Sequence, residues 1–187
     1  MTTKPFFNRA VATALILGTL GGGTSVGNAA DGPTDAQIVG IVLAANQIDI
    51  DYGKLALAKS RNKQVREFAQ RMITDHSAVQ QSVREIAAKL GVRAADSPTS
   101  EGLKKGASEI AARLKALEDQ EFDQLYVDNE VSYHEVVTGA VDTVLIPNAR
   151  NPELKSALQG AQPLFLTHLE HVRQVQASRN SMMSHGE

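Results

Sequence analysis

The sequence predicts an all-α protein: an antiparallel four-helix bundle with one additional short helix. Three observations carry this. Helix formers (Ala, Leu, Gln, Glu, Lys, Arg) dominate, and apolar residues recur at spacings of three and four. Proline is absent between Pro33 and Pro98. Hairpin dipeptides are missing apart from Asp31-Gly32, and no stretch alternates as a half-buried strand does.

Five helices follow in order. The first runs from about Asp35 to Lys59, with Thr34 and Gln37 forming a capping box and Ile38, Ile41, Val42, Ala45, Ile48, Tyr52 and Leu55 as its apolar face. Asn62 caps the second, which reaches Leu90 and ends on a left-handed Gly91. Its seam of Val65, Ala69, Met72, His76, Val79, Val83, Ile86 and Leu90 steps by fours and threes, the heptad spacing of a bundle. A polar loop, residues 94–100, precedes a short third helix through Leu103, Ala107, Ile110, Leu114 and Leu117. The fourth spans about Asp119 to Leu145, stopped by Pro147. The fifth opens with Asn151 as cap and Pro152 at its first position, and Pro163 should kink it. Residues 179–187 carry no stripe and read as a flexible tail, so the bundle domain is placed at 34–178. Amphipathic helices with short links bury their stripes most simply against one another.

Residues 1–29 read as a secretory signal peptide: Lys4 and Arg9, an apolar run from Ala10 to Leu20, then small residues Gly27 and Ala29 before cleavage. An uncleaved anchor is the alternative, but the run is short for a bilayer span. Losing Lys4 and Arg9 leaves 17 basic residues against 21 acidic, a net charge of −4. The expected destination is the periplasm or the exterior, with no transmembrane segment in the mature chain. No basic block suggests nucleic acid. With no cysteine, disulfides, thiol nucleophiles, iron–sulfur clusters and cysteine zinc sites are excluded.

Chemistry concentrates in histidine. His76, His134 and His168 each lie on the apolar face of a different long helix, and each falls near the middle of its helix. Midpoints coincide whether neighbouring helices run up or down, so the three imidazoles are expected to approach one another at mid-height. Asp49 falls at a comparable height on the first helix, Glu130 lies one turn before His134, and Asp75 can orient a neighbouring imidazole. The candidate metal ligands are therefore His76, His134 and His168, with Asp49 or Glu130 as a further partner. Three imidazoles and a carboxylate suit zinc, copper, nickel or iron. No Glu-x-x-His pair occurs at these histidines, which disfavours di-iron chemistry. The competing reading is a polar core layer, with the histidines hydrogen-bonded to Asp49, Tyr52, Tyr133 or Glu130 and serving register alone. His168 and His171, three apart, and the tail group Met182, Met183 and His185 are weaker metal candidates. Asp49 and Asp51 are two apart on one helix and cannot share a face. No phosphate loop, nucleophile elbow or catalytic triad is present, so the reading favours binding over catalysis.

Several segments together resemble an exported bacterial family, domain-of-unknown-function family 4142. They are Asp49 to Ala56 (Asp-Ile-Asp-Tyr-Gly-Lys-Leu-Ala), Asn62, Val65 to Met72, Asp75-His76, Glu121 to Tyr126, His134, Pro152 to Lys155, and Pro163 followed by His168-Leu169. The resemblance covers roughly residues 34–176. It implies a ferritin-like bundle in the periplasm or at the outer membrane, and singles out His76, His134 and His168 as matching the family's recurrent histidines. It brings no activity with it. Two functions stay open: an exported bundle binding a metal ion or small ligand in envelope or stress homeostasis, and a non-catalytic structural or interaction bundle whose outer faces meet a partner or the envelope.

Overall fold

A computed structural model describes residues 32–184, with side chains through Ser181. The signal-peptide reading and His185 fall outside the described residues, as do the side chains of Met182 and Met183. Among the described residues all regular structure is helical: α1 (Asp35–Lys59), α2 (Lys63–Lys89), α3 (Pro98–Ala116), α4 (Asp119–Ala140), a π-helical turn (Val141–Leu145), α5 (Ile146–Asn148) and α6 (Pro152–Ser184).

The four long helices close a ring in the order α1, α2, α6, α4, and α3 lies against α1 and α4. Polar pairs between neighbours give their directions. Arg173, Gln176 and Arg179 meet Glu135, Asp128 and Gln120, so α6 rises as α4 falls. His168 meets Asp75 and Glu153 meets Lys89, so α6 and α2 are antiparallel. Tyr133 reaches Ala45, and the backbone amide of Arg150 reaches Asp35, which sets α4 against α1. α1 and α2 are joined by residues 60–62 alone.

Local rules account for most boundaries. The Thr34–Gln37 capping box forms, Asn62 Oδ1 accepts from the amides of Gln64 and Val65, and Gly91 takes a left-handed φ of 65°. α3 starts earlier than the sequence suggests, because Ser97 and Ser100 form a reciprocal box ahead of Pro98.

Four features depart from the one-dimensional pattern. α1 is buried almost all round: Val39, Ala44 and Ile50 are covered in addition to the expected stripe. α3 packs on its outer side, and the loop after α2 crosses it at Gly40, where any Cβ would collide with the Ala95 carbonyl. The fourth helix does not run regularly to Leu145. Pro147 has no N–H to return to the preceding turn, and the chain widens into a π turn before it. α6 continues as helix through Pro163. It also remains helical to Ser184, past the end of its apolar stripe at Val175. Buried Arg179 anchors this extension through a 3.2 Å ion pair with buried Asp123.

Two apolar clusters fill the bundle. One, around Phe68, Met72, Leu114, Phe122 and Tyr126, lies toward the α1–α2 turn. The other, around Ile38, Val42, Val83, Leu145, Leu154 and Phe165, lies toward the opposite end. The polar residues of interest sit between them.

Candidate metal centre

The heptad seam of α2 carries His76 inward. The stripes of α4 and α6 do the same for His134 and His168. Ring centroids stand 5.7 Å (His76–His134), 5.1 Å (His76–His168) and 5.6 Å (His134–His168) apart. All three side chains are buried, as are Asp49 and Glu130, none more than 3% exposed. The five candidates read from the sequence are thus brought together at mid-bundle.

Each imidazole is held by one ring nitrogen. Asn46 donates its amide to the Val42 carbonyl at 2.7 Å, which leaves Oδ1 facing His76 Nδ1 at 2.9 Å. An amide oxygen only accepts, so His76 carries its proton on Nδ1. His134 Nδ1 donates to the Glu130 carbonyl at 3.0 Å. His168 Nε2 donates to Asp75 at 2.8 Å, and Asp75 is itself 3.3 Å from the Arg71 guanidinium. The opposite nitrogens, His76 Nε2, His134 Nε2 and His168 Nδ1, are buried and have no hydrogen-bond partner in the protein. Three partner contacts therefore fix three tautomers, each leaving a bare lone pair in the interior. An unpaired buried polar atom costs about 1–3 kcal/mol, so three at one level need a common reason.

The charge states agree. Burial drives the His76 pKa down to about 2, helped by His134 and His168, and burial brings His134 to about 4. Burial also lowers His168, against the pull of Asp75. Burial pushes Asp49 and Glu130 well above the usual carboxylate range. Asp49 Oδ2 lies 3.5 Å from His76 Nε2, yet the two form no ion pair: burial opposes charge on both. Glu130 Oε2 lies 3.5 Å from His134 Nδ1. Asp49 and Glu130 share a side-chain hydrogen bond, which their raised pKa values allow because a neutral carboxyl can donate to its neighbour.

One donor atom from each of His76, His134 and His168 lies within 4.8 Å of the others, and the same holds for Asp49, Glu130 and His134. Ligands bound at 2.0–2.1 Å to a tetrahedral ion stand roughly 3.4 Å apart. An inward movement of under about 1 Å per donor would close the set, and the neutral imidazoles are already in the ligand state.

The other candidates are placed elsewhere. His171 packs its ring edge on Phe68 at 5.4 Å and does not join the cluster. Asp51 is exposed and pairs with Gln47 and Lys54. The tyrosine hydroxyls bypass the imidazoles: Tyr52 donates to Ala107 and Tyr133 to Ala45. Asn46 is the residue the sequence reading missed. Its one signal is its position, directly after the apolar run from Ile38 to Ala45 and one turn before Asp49.

A family model described as "Domain of unknown function (DUF4142)" matches residues 23–175. The chain belongs to this family. The match bears out the resemblance read from the sequence and covers Asp49, His76, Glu130, His134 and His168. No curated protein matches. Among solved structures, one titled "CopM in the Cu(II)-bound form" superimposes with a TM-score of 0.63 at 15% identity, covering 79% of this chain and 98% of the other. At that identity the likeness establishes a shared helical fold for this member of the family.

Proposed function

We propose that this family member is an exported bundle that binds one transition-metal ion, copper(II) first, through His76, His134 and His168, with Asp49 or Glu130 as carboxylate partner. The observation that supports the reading is a set of three buried imidazoles, each held by one ring nitrogen, with one donor atom of each within 4.8 Å of the others. The imidazole and carboxylate donors suit copper(II) and zinc. The structural neighbour's title, which names a Cu(II)-bound form, favours copper. The leader pattern at residues 1–29 supports export, and no helix among the described residues is long and apolar enough to cross a membrane.

The test is elemental analysis of metal-loaded, desalted protein beside a triple His76→Ala, His134→Ala, His168→Ala variant whose helix content has been checked. About one equivalent of copper in the parent and almost none in the variant supports the proposal. Negligible metal in both ends it. The polar-layer reading keeps one supporting fact, that every imidazole already has an orienting partner. It requires that no added ion raise the melting temperature, whereas an ion bound only by the folded state must raise it.

A further inference from the structure

We propose that the bundle has a second site, an apolar cavity that takes one unbranched hydrocarbon chain. The cavity holds about 460 Å³ and lies between α1, α2, the π turn and α6, on the side of the imidazoles away from the α1–α2 turn. Ile41, Val83, Val141, Leu145, Leu158 and Phe165 are among its walls, and no charged residue lines it. Protein interiors pack to crystal-like density with few voids larger than a water. An apolar void of this size forfeits contacts that a ligand would supply. It also falls in the range of small-molecule sites, about 300–1,000 Å³.

The lining selects the class of ligand. Asn46 is the polar group at its inner end, and both halves of its amide are engaged, by the Val42 carbonyl and by His76. Nothing there can satisfy a buried head group. Phe165 is the one aromatic wall, and its ring already stacks on the His76 imidazole at 5.6 Å, nearly parallel at 7°. One face of that ring is therefore taken by the imidazole. The rim carries the exposed hydroxyls of Ser82 and Thr99 and the side chains of Val136 and Val144, exposed at 38% and 40%. An aliphatic tail fits inside, with its polar end left in water at this uncharged mouth. The π turn supplies Val141 and Leu145 to the wall and Val144 to the rim, and π turns are frequent at functional sites.

The tail could belong to a free fatty acid or to a phospholipid, and competition distinguishes them. The full-length chain, stripped of metal with a chelator, is titrated with trans-parinaric acid, an unbranched polyene fatty acid that fluoresces in apolar surroundings. The expected result is a saturable fluorescence rise at one probe per chain, displaced by dodecanoate. Displacement also by a lysophospholipid of the same tail supports a lipid source; displacement by dodecanoate alone supports the free acid. Ala161→Phe, which fills the cavity from α6, should weaken probe binding at least tenfold. Gly160→Phe, at a lining position where an added Cβ meets nothing within 4 Å, is a second filling variant should the first fail to fold. Absence of saturable uptake, failure of both competitors, or unchanged affinity in a folded filling variant overturns the proposal. Because the protein is metal-free, the outcome does not depend on the imidazole cluster binding an ion.

Discussion

The neutral state of the buried imidazoles can be measured through stability, and His134 gives the cleanest case. Its folded pKa is about 4 against an ordinary 6.5, lowered by burial. Above pH 6.5 the ring is neutral in both folded and unfolded chains. As pH falls through 6.5 the unfolded chain takes up a proton on this ring and the folded chain does not, so stability is lost until about pH 4. Between pH 7 and pH 5 the linkage amounts to about 2 kcal/mol from His134 alone. His134→Gln removes that contribution and keeps an amide donor near the Glu130 carbonyl. Asp49 and Glu130 act with the opposite sign, because their raised pKa values make the folded chain retain protons as pH rises above the usual carboxylate range. That contribution is common to both proteins and cancels in the comparison. The assay is urea unfolding of metal-free protein at pH 7, 6 and 5. The parent should lose about 2 kcal/mol more than the variant across that interval. Parallel losses would show that His134 is protonated in the folded state and would refute the lone-pair assignment.

Three further outcomes are expected. Asn46→Leu removes the acceptor that fixes the His76 tautomer, and should weaken metal binding about 10–100-fold in a competition titration; unchanged affinity would contradict the orienting role. Arg179→Met leaves buried Asp123 without its partner and should cost about 3–5 kcal/mol in urea unfolding, while the double Arg179→Met, Asp123→Leu variant should recover most of it. Phe68→Ala empties a fully buried position beside Tyr126 and His134, and should cost about 3–5 kcal/mol; a loss below 1 kcal/mol would mean that the core collapses to fill the space.

Periodicity made the site visible in one dimension. A histidine at a seam position of α2 must point inward, and histidines near the midpoints of antiparallel helices must share a level, so the meeting of His76, His134 and His168 follows from spacing and chain direction. Asp49 and Glu130 follow by the same logic of face and height. Asn46 does not, because its role depends on the α1 backbone turning its amide toward a ring 30 positions away. The burial of α1 on its outer side was equally hidden: it results from α3 and the 90–97 loop folding across Gly40, a tertiary event that the α1 sequence does not encode. Arg179 looked like the start of an unpatterned tail, since its partner Asp123 lies on another helix. The cavity escaped because its walls read as an ordinary apolar stripe, and only their separation in space makes a void.

The account turns on whether one ion is held by imidazoles from α2, α4 and α6. X-ray absorption on copper(II)-loaded protein tests this most directly. The expected spectrum shows three imidazole nitrogens at about 2.0 Å together with oxygen, and it loses the imidazole signature in the triple His→Ala variant. An imidazole-free coordination sphere, or one unchanged by the three substitutions, would contradict it.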